Sequence, residues 1–384
     1  MPPRKQHSSL RDLVDHRHVL VCCGTGGVGK TTTAAALAIE GARRGRRTIV
    51  VTIDPAKRLA NALGLDELSN TPKEIDRDRW DPTGTAPEGG RLFALMLDTE
   101  GTFDQLVAKY ALSGEQAETI LENRFYRNIA GALSGTQEYM AMEKLYELHD
   151  SDAFDLIVVD TPPTRHALDF LDAPKRLTRM LDNRVFRMLM VPASTAMRIG
   201  GFAATALLKT ISRVVGTEVV DDVVAFFRAF EGMEAGFRDR ALSVEALLAA
   251  PETGFVLVTS PRRDAMEEAE FFARQLARTG KAIDALIVNR VHPSFGEEAP
   301  AGLRAAAAQL ALDDNPAAAR LRARYENLAD FREIAELERA HVEGVQGRVG
   351  ATTISYVPYL SRDVYDFAAL REIGRLLIAP GVSV

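Results

Sequence analysis

Gly24-Thr25-Gly26-Gly27-Val28-Gly29-Lys30-Thr31 follows the apolar run His18-Val19-Leu20-Val21-Cys22-Cys23 and precedes Thr32-Thr33-Ala34-Ala35-Ala36-Leu37-Ala38. The order is strand, glycine-rich turn, helix, and the turn fits the phosphate-loop pattern G-x-x-x-x-G-K-[ST]. Such a turn binds phosphate for a physical reason. The backbone N–H groups of Gly26, Gly27, Val28 and Gly29 can close around phosphate oxygens, and the following helix N-terminus adds partial positive charge. Lys30 is expected to reach the β- and γ-phosphates, Thr31 to ligate Mg²⁺, and Thr32 to complete the phosphate cradle. The stretch predicts a site for a nucleoside triphosphate with Mg²⁺.

Apolar β-branched runs recur at Thr48–Ile53, Leu92–Leu97, Leu156–Asp160, Phe255–Thr259, Leu286–Asn289 and Thr353–Val357. Helical patterns separate most of them, as parallel crossovers require. The expected fold is α/β, a doubly wound, mostly parallel sheet carrying a P-loop, with an inserted helical subdomain. No internal repeat is visible, so residues 1–384 are read as one ATPase domain. Segments of about 100–145 and 175–250 are assigned to the helical subdomain, 71–90 to an exposed loop, and Ala301–Tyr325 to peripheral helix.

Several strands end on a polar residue and a turn, where ligand-binding residues of such folds gather. Asp54 opens Asp54-Pro55-Ala56-Lys57-Arg58-Leu59 after the second strand. It can orient the attacking water beside a γ-phosphate, or cap the helix that follows. Asp160 opens Asp160-Thr161-Pro162-Pro163-Thr164-Arg165-His166, and a carboxylate there belongs near Mg²⁺, directly or through water. The two prolines stiffen a turn able to sense the γ-phosphate. His166 is read as structural.

Composition narrows the class. Lys plus Arg is 47 and Asp plus Glu 53, a net charge of −6 that argues against general nucleic-acid binding. The two cysteines, Cys22 and Cys23, are adjacent and supply neither a disulfide framework nor a zinc site. Met1–Arg17 lacks an apolar core of the secretory kind, and no run reaches membrane-span length. The expectation is a cytoplasmic protein, with peripheral membrane association as an option.

With these residues in view the chain resembles the arsenite-pump ATPases and their relatives that target tail-anchored membrane proteins. The resemblance rests on the doubled glycine of the loop and on the Asp54-Pro55-Ala56 and Asp160-Thr161-Pro162-Pro163-Thr164 turns. It extends to Ser134-Gly135-Thr136-Gln137-Glu138-Tyr139, Asp169-Phe170-Leu171-Asp172-Ala173-Pro174 and Val357-Pro358-Tyr359-Leu360. It implies a dimer, homomeric or with a related ATPase, whose facing ATP sites open and close with nucleotide state. It further implies Asp54 as the water-orienting residue, Asp160 in the Mg²⁺ shell, Asn289 at the adenine edge and Pro358 near the ring.

Three departures qualify the resemblance. The family's lysine at the second loop position, which reaches across a dimer, is Thr25 here. Arg165 stands where glycine is common, and with Lys57 it offers a substitute cation. No cysteine triad for arsenite and no C-x-x-C for a bridging zinc is present. Thr25 leaves open a regulatory, weakly hydrolysing subunit paired with a lysine-bearing paralogue. The missing thiols weigh against the ATPase of an arsenite-efflux pump.

The window Asn183–Thr217 has no Asp or Glu but holds Arg184, Arg187, Arg198, Lys209 and Arg213. Apolar residues recur at helical spacing in a row that runs into it, Leu177, Met180, Leu181, Val185, Met188 and Leu189, and in a second row within it, Ile199, Phe202, Ala206, Leu207, Ile211 and Val214. This is either an adaptable surface for hydrophobic helix clients or a membrane protein, or helices packed into a core.

Overall fold

The computed structural model describes residues 9–53, 58–65, 67–124, 126, 127, 136–182, 218, 222, 223, 225, 226, 229, 231–312 and 315–379. Among them, eight strands form one sheet: β1 Val19–Gly24, β2 Arg47–Thr52, β3 Lys73–Ile75, β4 Arg91–Met96, β5 Leu156–Asp160, β6 Thr253–Thr259, β7 Ala285–Val291 and β8 Thr353–Pro358. Their spatial order is β3-β4-β2-β5-β1-β6-β7-β8. Every pairing is parallel except β3 with β4.

Strands buried on both faces need apolar residues at consecutive positions, and that is why the runs in the sequence are unbroken. Alternate residues separate cleanly. Leu20, Cys22, Val50, Val158, Val256 and Ile287 join one core with Leu13 and Leu37 from helices Leu10–His16 and Lys30–Arg43, and with Leu370 and Ile373 from helix Phe367–Ile378. Val19, Val21, Cys23, Ile49, Val159, Leu257 and Leu286 face the other way. They meet Met142 and Leu145 from helix Thr136–Asp150, Phe272 and Leu276 from helix Arg263–Arg278, and Val342 and Val345 from helix Pro316–Val349. Helices therefore cover both faces of the sheet, the doubly wound arrangement expected. From β1 the chain winds to β2 on one side, and from β5 it crosses to β6 on the other. The winding reverses at β1, so the turn leaving β1 lies at the switch point where such sheets bind ligands.

A third apolar cluster lies in helices. Leu106 and Val107 from helix Thr99–Tyr110, Ile120 from helix Gly114–Glu122, Ala173 and Leu181 from helix Thr164–Asp182, and Phe237 and Ala241 from helix Glu234–Ala249 share it. Leu177 packs against this cluster too, so two members of the apolar row leading into 183–217 are core. Arg240 and Glu143 form an ion pair at 2.6 Å inside these helices, with the guanidinium 4.0 Å over the Tyr146 ring.

Two expectations need correction. Segment 71–90 is not simply an exposed loop: it contains β3 and the helical turn Arg77–Trp80. Trp80, 1% exposed, is inserted in the first core and donates its indole N–H to the Ile75 carbonyl at 3.2 Å. The buried Asp81 carboxylate accepts from the backbone N–H groups of Thr85 and Ala86 and pairs with Arg77. These bonds satisfy the turn and hold the Asp81 carboxyl below its usual range against the opposing effect of burial. The polar, glycine-rich letters reflect a tight turn around one buried anchor. Secondly, the Ala-rich helix expected to end near Tyr325 is two helices, Pro300–Leu310 and Pro316–Val349. The second is 34 residues long because Val342, Val345 and Val349 carry it onto the sheet.

Candidate active site

The loop leaves β1 at Gly24, where the neighbouring strand passes so closely that a Cβ would stand 2.1 Å from the Val258 carbonyl oxygen. Gly29 closes the loop with φ 95° and serves as the N-cap of helix Lys30–Arg43. That helix has no side-chain cap and no acid in its first turn, so its leading N–H groups are left to an anion. A Cβ placed on Gly26 or Gly27 would meet no heavy atom within 4 Å. Room for phosphate oxygens therefore lies over that part of the loop, and the residues present fit a nucleotide's phosphates.

Lys30, 8% exposed, donates its ammonium to the Thr25 carbonyl oxygen at 2.8 Å, so its charge lies across the loop. The Thr31 hydroxyl donates to Asp160 Oδ2 at 2.7 Å. Asp160 ends β5, immediately beside β1, and is 1% exposed. Its Oδ2 also accepts from the Thr52 hydroxyl at 3.1 Å, and Thr52 is its registered neighbour on β2. A hydroxyl and a carboxylate already in contact at the loop are a suitable donor set for Mg²⁺, a hard cation that prefers oxygen. Thr161 secures the next turn by donating its hydroxyl to the Cys22 carbonyl at 2.8 Å. Sequence reasoning missed Thr52 and Thr161. The only available signal was a threonine at a strand's last position and another just beyond a strand.

Asn289 reaches the same loop from β7, two strands away. Its Nδ2 donates to the Val28 carbonyl at 2.8 Å, and its Oδ1 accepts from the Arg290 N–H at 2.9 Å. The register with β8 skips between Asn289 and Val291, and Arg290 adopts φ 63°. This bulge accommodates one extra residue on β7; bulges commonly re-aim side chains beside active sites. Pro358 is the registered partner of Val291, one position beyond Asn289's partner Val357. Tyr359 follows it, exposed and stacked on His292 with ring centres 5.5 Å apart.

Asp54 and Lys57 lie outside the described residues, as do Ser134, Gly135 and the window 183–217. Arg165 belongs to the first turn of helix Thr164–Asp182, directly after the Asp160 turn, and its side chain lies outside the described set. Among the described residues, no group of three or more His, Cys, Asp or Glu can hold a metal. Nor is any described helix long and apolar enough to cross a membrane.

Both cysteines are buried in β1. Burial pushes the Cys23 thiol up to about 12, with Thr161 and Lys30 opposing, and raises Cys22 as well, with Asp160 adding to the effect. A raised thiol pKa keeps the unreactive neutral form: at pH 8 Cys23 is thiolate in roughly one molecule in 10⁴. Iodoacetamide at pH 8 is therefore expected to leave the native chain unmodified and to add twice after denaturation, as counted by intact mass. Rapid labelling of native protein would show that β1 opens.

A family model described as anion-transporting ATPase matches residues 17–309. An uncharacterized Streptomyces coelicolor protein is 30% identical over 283 residues, covering 73% of this chain and 64% of that protein. ATPase GET3 of Malassezia globosa is 29% identical over 178 residues, 46% of this chain and 49% of that one. ATPase asna-1 of Caenorhabditis elegans is 24% identical over 301 residues, 74% of this chain and 78% of that one. The chain thus spans about half to under two thirds of the length of the first two of these relatives.

Proposed function

Because the chain belongs to the anion-transporting ATPase family, we propose that it hydrolyses ATP with Mg²⁺ and uses the nucleotide cycle to open and close a dimer that handles hydrophobic or membrane-linked clients. The observation that carries the ATPase reading is the meeting of Lys30, Thr31 and Asp160 around a loop with open space over Gly26 and Gly27. The names of two relatives, ATPase GET3 and ATPase asna-1, support the same activity.

In this reading Gly26, Gly27, Val28, Gly29 and Thr32 direct backbone N–H groups at the phosphates, and Lys30 places its ammonium against the β- and γ-oxygens. Thr31 would hold Mg²⁺ and Asp160 would support it from behind, through water. Bound there, the ion would neutralise charge on the β- and γ-phosphates. Asp54 orients the attacking water and accepts its proton. Asn289 reads the adenine edge, where its second amide N–H and second lone pair match one donor and one acceptor, and Pro358 packs near the ring. Thr164 and Arg165 begin the helix after the Asp160 turn, so a change at the γ-phosphate can reach the helical cluster through that helix.

A second reading is favoured by Thr25 alone: a weakly hydrolysing subunit whose related partner supplies the missing cation. An arsenite pump is disfavoured, because the chain's two cysteines are both buried in β1.

Native mass measurement with ATP and Mg²⁺, on protein isolated from its own cells, separates the first two readings. A homodimer supports the first, a heteromer with a lysine-bearing relative the second, and a monomer in every nucleotide state overturns the dimer cycle. The client role has its own test. Met188→Asp with Leu189→Asp is expected to leave ATP affinity within about twofold and to weaken binding to apolar helices or liposomes at least about tenfold. Loss of folding would instead make these residues core.

A further inference from the structure

Asn289 does more at this site than face a base. Its amide has two N–H donors and an oxygen with two lone pairs. One donor is spent on the Val28 carbonyl, inside the phosphate loop and 261 residues away in sequence. One lone pair is spent on the N–H of Arg290, within the β7 bulge. The two bonds together fix which end of the amide is nitrogen and which is oxygen. They also tie the loop's last turn to a strand that belongs to the sheet core. The fit is close: a Cβ on Gly29 would stand 2.3 Å from Asn289 Nδ2, so the amide fills the space that glycine leaves.

A peptide carbonyl accepting a bond has its whole peptide plane restrained, and the other side of the Val28 carbonyl's plane is the Gly29 N–H. That N–H is one of the donors on which phosphate binding by such a loop depends. With φ 77° at Gly27 and φ 95° at Gly29, the backbone here is built from conformations that glycine samples freely when unbound. An external hold is what converts that freedom into a standing cradle.

We propose that Asn289 is a positioning residue of the phosphate loop, whose amide holds the Val28–Gly29 peptide in its phosphate-accepting orientation, so that phosphate affinity depends on Asn289 even when no base is present. The proposal rests on the nucleotide-binding reading above and goes beyond base recognition. A residue that only reads adenine has no effect on a ligand without adenine. A residue that holds the loop does.

The test uses inorganic tripolyphosphate with Mg²⁺ beside Mg·ATP, in calorimetric titrations of the full chain and of Asn289→Ala. Loss of one loop-positioning bond is expected to weaken tripolyphosphate about five- to tenfold, and ATP by at least as much, with the ligand-free melting temperature lowered by only about 1–4 °C. Unaltered tripolyphosphate affinity with weakened ATP overturns the proposal and leaves Asn289 a base reader. Hydrogen exchange at the amides of 26–30 without ligand supplies a reading independent of binding. Asn289→Asp, which keeps the side chain's size but cannot donate to Val28 once ionised, serves there if the alanine variant does not fold. Faster exchange in either variant supports the hold, and exchange equal to the parent overturns it. If the parent chain binds neither ATP nor tripolyphosphate, the nucleotide reading itself fails, and the exchange result still judges the hold.

Discussion

Lys30→Ala is expected to abolish measurable ATP turnover, a loss of at least about 10²–10³-fold in kcat. The ammonium lies across the loop against the Thr25 carbonyl, sheltered enough that water does not screen it as at an open surface. No neighbouring cation in the loop can replace it, since the loop's other residues are neutral. The companion variant Asp54→Asn is expected to behave differently. It preserves the cradle and removes the group assigned to the water, so nucleotide affinity should stay within about twofold while hydrolysis is lost. Steady-state hydrolysis with a parallel titration of a fluorescent ATP analogue checks both. Undiminished turnover in Lys30→Ala would place catalysis elsewhere, and equal loss of binding and turnover in Asp54→Asn would make Asp54 a structural or metal-contacting group.

Thr25 should produce the other large effect. A cation supplied across an interface to a transferring phosphoryl group is worth about 10³–10⁵ in rate. Thr25 cannot supply it: the side chain is short and uncharged, and the residue is buried in the loop with its carbonyl already accepting from Lys30. Two sources remain for this chain. A related partner can donate a lysine, or Arg165, at the start of the helix following the Asp160 turn, can take over with a planar guanidinium suited to phosphate. Under the second reading above, the partner supplies it. The purified single chain is then expected to turn over slowly, to accelerate at least about tenfold with Thr25→Lys, and to be indifferent to Arg165→Gly. Robust turnover that collapses only with Arg165→Gly would overturn the partner and make Arg165 the substitute.

The turn after β1 was readable as a candidate phosphate loop because the pattern is local: glycines, lysine and threonine must occupy successive positions to wrap one anion. The strands were readable for a related reason. A strand covered on both faces has no solvent side, so its residues are apolar one after another, and seven of the eight lie within two residues of the apolar runs. β3 was not, because three residues paired at a sheet edge need no apolar run; only Ile75 of the three is buried. The helix Pro316–Val349 outran its Ala-rich start because its end is held by packing on the sheet, which composition does not express.

The site divides in the same way. Asp160 could be singled out as an acid ending an apolar strand, but that its carboxylate receives Thr31 depends on β5 lying beside β1, although 129 residues separate the pair. Thr52 joins them only through its register with Asp160. Asn289 carried an expectation about a base, whereas its hold on Val28 depends on a bulge in β7 and on the order β1-β6-β7. Local spacing determines which groups a turn can present to an anion. Which distant carboxylate or amide meets that turn is decided by strand order and register, properties of the assembled sheet that no single stretch of sequence contains.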